Sequence, residues 1–222
     1  MATEWKRLVS LGDARKLLRE FPTPVRQKFG RTLAMIQTGD TPTNTKRLTG
    51  FSISIQEIRV RHSSDTYRAV YTVSLGNTVY LLHAFQKKSK SGIALPPRDK
   101  ELIQRRIREA ITLEAHDDET ENSIKAEEID NIFDALDLEN GEAEAARCAL
   151  AGRIFGIGRE RNLSDEALAK SIGCSTDRLA QLHAIEFDDF TIDELCRYLV
   201  ALGHGVRIVV EPTEEAHLTI AG

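Results

Sequence analysis

The chain of 222 residues has few cysteines, no long apolar run and no spaced set of metal-ligand residues. Its three cysteines, Cys148, Cys174 and Cys196, form no CxxC pair, and their odd number predicts free thiols rather than a disulfide framework. None of the six histidines stands in an HExxH spacing, so we expect no metal and no other cofactor. The absence of an apolar run of about 18 residues excludes a membrane-spanning helix. The first residues also lack the apolar core of a secretory signal, which predicts a cytoplasmic protein.

Charge is distributed unevenly along the chain. Residues 1–112 hold 21 Lys+Arg and 9 Asp+Glu, a net charge of +12, whereas residues 113–222 hold 9 Lys+Arg and 25 Asp+Glu, a net charge of −16. A basic half is suited to a polyanion such as nucleic acid, and an acidic half on the same chain can compete for the same surface. Two unrelated domains of different isoelectric point remain the alternative.

The hydrophobic pattern divides the chain into two domains. We predict a β-α-α-β-β-β-α domain over residues 1–113, a polar acidic linker over 114–124, and an all-α bundle with a C-terminal strand over 125–222, so that the fold class is α+β. In the first domain the expected strands cover residues 5–9, 52–61, 66–74 and 78–86, and the expected helices cover 13–21, a segment starting at Pro24, and 98–113. The last helix should point Ile103 and Ile107 inward and Arg105, Arg106 and Arg108 outward.

In the second domain, residues 126–138 have helical spacing and are expected to form a short amphipathic helix or a docking segment. Further helices are expected over residues 142–160, 165–172, 177–184 and 192–202. Residues 207–211 have the pattern of a lone strand, which suggests that it pairs with another copy of the chain or adds to another sheet.

Basic residues are concentrated on the strands of the first domain. Arg59 and Arg61 lie two apart on one strand, Arg68 follows Tyr67 on the next, and Lys87 and Lys88 end the third. If the three strands pair in order, these cations converge at one end of the sheet. Such a set could hold a phosphate and stabilise a developing oxyanion, with the RNA 2′-hydroxyl as nucleophile. Tyr67, or a lysine of lowered pKa, is the candidate proton carrier. A solvated cationic face is the alternative, and strand alternation places Tyr67 and Arg68 on opposite faces.

The segments YRAVY and HAFQKKS, together with WKRLVSLGDARKLLREFP near the start, resemble the phage-related HigB-like branch of the RelE/ParE toxin superfamily over about residues 4–113. The resemblance implies a metal-independent, ribosome-associated mRNA endonuclease. It maps the working basic residues of those toxins onto Arg59, Arg61, Arg68 and Lys87 or Lys88. The tyrosine that RelE carries near its C-terminus has no counterpart here, because Tyr80 is the last tyrosine of this half.

The stretch LSDEALAKSIGCSTDRLAQLHA has helix-turn-helix spacing, with Gly173 in the turn. It resembles the HigA-type, XRE-like antitoxins over about residues 125–212, which implies a dimer that binds an operator and represses its own genes. The plausible DNA-reading residues are Ser175, Thr176, Arg178 and Gln181. Residues 161–194 carry 3 cationic and 8 anionic side chains, however, so we expect weak or absent DNA binding by this domain alone.

Together these features predict a fused toxin–antitoxin protein, in which a latent endoribonuclease is neutralised by its own antitoxin domain within one chain or in a homodimer. The expected partners are mRNA and the ribosome, with operator DNA an open alternative and no membrane. A second hypothesis is a DNA-binding autorepressor with an inert toxin domain. A third is a decoy, in which a dead toxin domain competes for antitoxin.

Overall fold

The computed structural model describes residues 5–87, 95–115 and 124–207. The chain divides into two compact units. The first, which we call the sheet unit, comprises residues 6–30 and 44–138, and the second, the helical unit, comprises residues 1–5, 31–43 and 139–222. These limits differ from the predicted boundaries because each unit contains a segment from the other half of the sequence. The expected linker, residues 114–124, lies mostly outside the described residues.

In the sheet unit the described residues form a six-stranded sheet of order β2-β3-β4-β5-β1-β6, in which β1 runs parallel to β5 and the other neighbouring pairs are antiparallel. The strands are β1 (Arg7–Leu11), β2 (Thr45–Leu48), β3 (Ile55–His62), β4 (Asp65–Leu75), β5 (Thr78–Lys87) and β6 (Ala126–Glu128). The helices are α1 (Ala14–Arg19), the start of α2 (Thr23–Gln37), α3 (Pro97–Ala115) and α4 (Ile132–Ala135).

Each face of the sheet packs against different helices. On one face, Val70 and Leu82 form a buried core with Ile103 and Ile107 of α3. On the other face, the ring of Tyr67 lies 4.8 Å from that of Phe21, between α1 and α2. The inward direction of Ile103 and Ile107, predicted from the helical spacing of α3, is confirmed. The predicted hairpin turn at residues 76–77 joins β4 and β5.

Arg106 corrects one prediction, because it is buried rather than outward-facing. Its guanidinium donates a hydrogen bond of 2.7 Å to the Leu82 carbonyl and forms an ion pair with Asp13. Burial raises the pKa of Asp13, but the hydrogen bond and charge of Arg106 outweigh it and leave that pKa below its ordinary value. An arginine beside apolar helix positions can therefore face inward when a strand carbonyl and a carboxylate both accept from it.

Residues 124–138 form the docking segment of the sheet unit. Strand β6 pairs with β1, and the flanking backbone adds hydrogen bonds from Gly12 N to Lys125 O and from Ile129 N to Leu8 O. The short helix α4 follows, with the side chain of Asn131 accepting from its first turn. Of the helix predicted over residues 126–138, only α4 is helical, and the residues at its start form β6 instead. The four apolar residues of the predicted helical stripe are buried: Ile129, Ile132, Phe133 and Leu136.

The helical unit contains the second half of α2 with α5 (Gly141–Glu160), α6 (Asp165–Ile172), α7 (Thr176–His183), a 3₁₀ turn (Phe187–Asp189) and α8 (Ile192–Ala201). Residues 31–43 pack closely on α5. A Cβ at Gly152 would overlap the side chain of Thr38, so glycine permits the close approach. Arg31 forms a buried ion pair with Glu144 at 2.7 Å.

Helices α6 and α7 have the predicted helix-turn-helix form. Ser164 caps α6 and Ser175 caps α7 through their side-chain oxygens, and Gly173 ends α6 in the left-handed conformation. Leu179 and Leu182 face the core, as their spacing indicates. Four residues of the strand predicted over 207–211 lie outside the described residues, as does Lys88. Within the described ranges, no helix is long and apolar enough to cross a membrane.

Candidate nucleic-acid sites

The strand register brings the predicted cations of the sheet unit onto one face. Arg59 stands directly opposite Arg68, and Arg61 stands opposite Thr66, which in turn is opposite Lys87. Directly opposed residues of antiparallel strands point to the same side of a sheet, so these four side chains share the face that also carries α3. We call them the cation row. The convergence expected from the sequence is therefore what the register produces.

A buried carboxylate that the sequence reading missed organises this row. Glu57 has no exposed surface and accepts from two arginines, from Arg68 at 2.7 Å and from the Nε of Arg59. Arg68 is itself more than nine-tenths buried, whereas the side chain of Arg59 is 36% exposed. Arg68 thus serves mainly to fix Glu57 and, through it, the direction of Arg59. Arg61 is exposed and Lys87 is half-buried at the end of β5.

Tyr67 lies on the opposite face, where its ring is buried against Phe21. The alternation of β4 separates it from Arg68, as predicted, and its burial keeps its hydroxyl away from the cation row. This placement removes Tyr67 from the candidate site.

His83 lies on the cation-row face, since it stands opposite Val70 in the strand register. Its ring stacks on that of Phe85, with the ring centroids 5.4 Å apart. Its Nε2 is 3.6 Å from a carboxylate oxygen of Asp99 on α3. Burial lowers the pKa of His83, against the opposing effect of Asp99, so the imidazole is neutral near pH 7. Its buried Nδ1 has no hydrogen-bond partner among the described residues. Across residues 5–87, 95–115 and 124–207, no group of three His, Cys, Asp or Glu side chains is close enough to hold a metal ion.

At the other edge of the sheet, acidic side chains of the docking segment pair with arginines. Arg7 makes a two-pronged contact with Glu128 at 2.8 and 2.7 Å, Arg15 pairs with Glu127 at 2.9 Å, and Arg19 pairs with Asp137. Arg26 donates to the Leu136 carbonyl at 2.7 Å. Basic residues of the sheet unit are thus bound to acidic residues from the second half of the sequence by specific contacts.

The four residues predicted to read DNA differ in how far they are exposed on the helix-turn-helix. Ser175, Thr176 and Gln181 are exposed, as predicted for residues that could reach DNA. Arg178, by contrast, is held by Glu194 at 2.9 Å and lies with its guanidinium carbon 3.6 Å from the centre of the Phe190 ring. Its guanidinium also donates to the Asp189 carbonyl at 2.7 Å. In this state Arg178 stabilises the packing of α7 on α8 rather than projecting from it.

Comparison with protein families adds two matches. Residues 16–108 match the family described as phage derived protein Gp49-like. Residues 132–211 match a helix-turn-helix domain family. Comparison with curated proteins and with solved structures found no match. A Gp49-like domain followed by a helix-turn-helix domain fits a toxin–antitoxin-like fusion.

The two matched regions exchange segments. The Gp49-like region contributes residues 31–43 to the helical unit, and the helix-turn-helix region contributes residues 132–138, with α4, to the sheet unit. Inside each unit, a segment that matches one family therefore packs against a segment that matches the other. In the helical unit this interface holds the buried Arg31–Glu144 ion pair, and in the sheet unit it holds Phe133, whose ring carbons are 3.1 Å from the position of a Cβ on Gly30.

Sequence reasoning missed Glu57 and strand β6. Glu57 shares one face of β3 with Ile55 and Arg59, so its direction was readable from the sequence. A lone acid among cations gave no sign that two arginines would bind it in the interior. The sequence of β6, AEE, has no β-like pattern. Its extended conformation comes from pairing with β1, which local sequence does not reveal.

Proposed function

We propose that this chain is a fused toxin–antitoxin protein whose sheet unit cleaves RNA and whose acidic second half restrains that activity. The observation that carries the proposal is the cation row, in which register places Arg59, Arg61, Arg68 and Lys87 on one face. The HigB-like resemblance of the sequence and the Gp49-like match support the same role, with mRNA and the ribosome as the partners.

The chemistry is that of charge stabilisation. The 2′-hydroxyl oxygen of one nucleotide attacks the adjacent phosphorus, a 2′,3′-cyclic phosphate forms, and the bond to the 5′-oxygen of the next nucleotide breaks, with the proton passing to that oxygen. Arg59, Arg61 and Lys87 bind the phosphate and stabilise the added negative charge on its oxygens. Glu57 and Arg68 position Arg59. No step in this scheme needs a metal ion or Tyr67.

Restraint by the docking segment works at a distance from the cation row. Strand β6 is added beyond β1, and three strands, β1, β5 and β4, separate it from β3. We propose that the docking segment keeps the second half attached to the toxin domain and so excludes the domain from the ribosome, without covering the cations. The addition of a strand to a free edge is a common mode of peptide recognition and gives a strong, register-specific hold.

The test is to induce residues 1–115 alone and the full chain, and to follow growth and cleavage of a reporter mRNA. We expect arrest from the fragment, its loss in Arg59→Ala/Arg61→Ala, and no arrest from the full chain. Arg105→Ala/Arg108→Ala is the matched control, because both residues are exposed cations of α3. If a soluble fragment with native circular dichroism leaves growth and mRNA unaffected, the RNase proposal is overturned.

A second candidate function is that of a DNA-binding autorepressor, which the helix-turn-helix match and the exposed Ser175, Thr176 and Gln181 favour. Gel-shift titration of the full chain against its upstream DNA at several salt concentrations tests it. A specific shift that weakens on Gln181→Ala would support repression. Because Arg178 is already bound to Glu194, Arg178→Ala should act by loosening α7, and Asp177→Asn should strengthen binding by removing a repulsive charge. Absence of any shift at low salt would exclude this role.

A further inference from the structure

A basic cavity lies beside the cation row in the sheet unit. Its volume is about 340 Å³, and four cations line it: Lys46 and Arg47 of β2, Arg59 of β3 and Lys100 of α3. Among the described residues that line the cavity there is no acidic side chain. Lys46, Arg47 and Lys100 are exposed, and none of the three forms an ion pair with a described residue. Arg59 is bound to Glu57, but the other three like charges around the cavity repel one another unless an anion enters it.

The rest of the wall is apolar. Phe51, Leu48 and Leu95 are half-buried at the edge of the core that packs against α3, and they complete the lining. A cavity lined by both cations and an aromatic ring has the features of a nucleotide site, in which the phosphate is bound by charge and the base by a ring face. A free phosphate would use only half of this lining.

Arg59 connects the cavity with the cation row. It lines the cavity and also binds Glu57 through Nε, and Lys46 stands directly opposite Glu57 on β2. Neighbouring strands lie about 4.8 Å apart, so β2, β3 and β4 place the cavity within roughly 10 Å of Arg68. A nucleotide in the cavity is therefore next to a phosphate held on the row.

We infer that this cavity is a nucleotide-binding subsite for single-stranded RNA, in which Lys46 and Lys100 bind a phosphate and Phe51 packs on the base next to the cleaved bond. The inference rests on the proposed function for its biological meaning, since the subsite selects the nucleotide beside the cut. Binding itself needs no cleavage, so the two can be tested separately. The turn that presents Phe51 depends on Gly50, whose φ of +85° favours glycine.

The experiment measures equilibrium binding of a fluorescent single-stranded 2′-O-methyl RNA hexamer to the purified full chain. The 2′-O-methyl group blocks the nucleophile, so cleavage plays no part. We expect Lys46→Ala/Lys100→Ala to weaken binding at least tenfold and to lower the salt slope by about 0.7, the value for one neutralised phosphate on a single strand. Phe51→Leu should weaken binding roughly fivefold to tenfold, whereas Phe51→Tyr should retain it.

Controls separate a nucleotide site from a general basic surface. Arg105→Ala/Arg108→Ala should bind within about twofold of the parent chain, because these exposed cations of α3 are not part of the lining. Adenosine and cytidine monophosphate should compete for the cavity at concentrations where inorganic phosphate does not. Thermal melting of Phe51→Leu and Phe51→Tyr checks that both variants fold alike.

Two results would overturn the inference. Equal weakening by the cavity and control pairs would mean non-specific attraction, and parent-like binding by Phe51→Leu would mean that no base is held there. Failure of the growth-arrest test with these binding results intact would reject the RNase proposal and leave the nucleotide site standing.

Discussion

Basic residues lie at both edges of the sheet, but they are paired with acidic side chains of the docking segment at only one of them. At the β1 edge, Arg7, Arg15 and Arg19 pair with acidic side chains of the docking segment. At the β2–β3 edge, Lys46 and Arg47 form no ion pair with any described residue. The net charges of +12 and −16 on the two halves of the sequence would suggest general neutralisation. The contrast shows that acidic residues are placed at one edge and leave the other open to an external anion.

The difference between the edges has a structural basis. The β1 edge offers unpaired backbone groups, which the docking segment satisfies as β6, and its ion pairs are brought together by that pairing. The cation-row side has its own carboxylate, Glu57, which is buried inside the sheet unit and binds two arginines without neutralising the exposed cations. One side of the sheet thus binds the docking segment, and the other side keeps exposed basic residues.

Removing the main apolar anchor of the docking segment should have the largest effect. Phe133 is fully buried and packs on Gly30, so Phe133→Ala should lower the free energy of unfolding by about 4 kcal/mol, through lost burial and the cavity left behind. Urea unfolding of the full chain measures this. Asp134→Ala, an exposed neighbour on α4, should change it by about 0.5 kcal/mol or less. A loss of less than about 1 kcal/mol in Phe133→Ala would mean that β6 pairing alone holds the segment.

The second prediction sets a buried ion pair against an exposed one. Arg31 and Glu144 are each 6% exposed, whereas Arg19 and Asp137 are 40% and 55% exposed. Arg31→Met should cost about 3 kcal/mol, because it breaks a buried ion pair and removes the guanidinium that donates to both carboxylate oxygens of Glu144. Arg19→Met removes the same chemical group at the β1 edge and should cost less than about 1 kcal/mol. Urea unfolding of both variants gives the comparison, and equal losses would contradict it.

Much of the fold was predictable from local pattern. Helices α5 to α8 follow apolar spacing, with serine caps at α6 and α7. Strands β3 to β5 follow alternation, with a turn between the last two. What local pattern could not give depends on partners distant in sequence. Strand β6 exists because β1 has a free edge, and residues 31–43 join the helical unit because Thr38 meets a glycine of α5.

The candidate site was predictable in part for the same reason. Spacing places Arg59 and Arg61 on one face, and pairing of the strands in order brings in Arg68 and Lys87. The burial of Arg68 was not visible, because it depends on Glu57, which lies two residues before Arg59 on the neighbouring strand. The cavity was missed because β2 and the start of α3 are more than 50 residues apart in the chain and meet only in the folded sheet unit.

The third prediction concerns the cation-row side. In Glu57→Gln the charge that fixes Arg59 and Arg68 is lost, while the shape is kept. We expect a loss of about 2 kcal/mol in the free energy of unfolding, the size of a buried hydrogen bond to a charged group. RNA cleavage by the 1–115 fragment should fall as well, since Arg59 loses its orientation. Gln56→Glu adds a charge on the neighbouring position of β3 and serves as the reverse control. Undiminished stability in Glu57→Gln would contradict the positioning role of the carboxylate.

The smallest effect is expected at an exposed pair of the β1 edge, and it depends on pH. The hydrogen bond from Arg7 lowers the pKa of Glu128 below its ordinary value of 4.5, with burial acting in the opposite direction. A lowered pKa in the folded state means that the pair contributes its full stabilisation above the unfolded pKa and loses it as the pH falls through the folded one. Because both side chains are about half exposed, that contribution is less than about 1 kcal/mol. Glu128→Gln should therefore be slightly less stable than the parent chain at pH 7, and the difference should be smaller at pH 3. Unfolding curves at the two pH values measure the difference, and a gap that widens on acidification would show that the edge is held by something other than this ion pair.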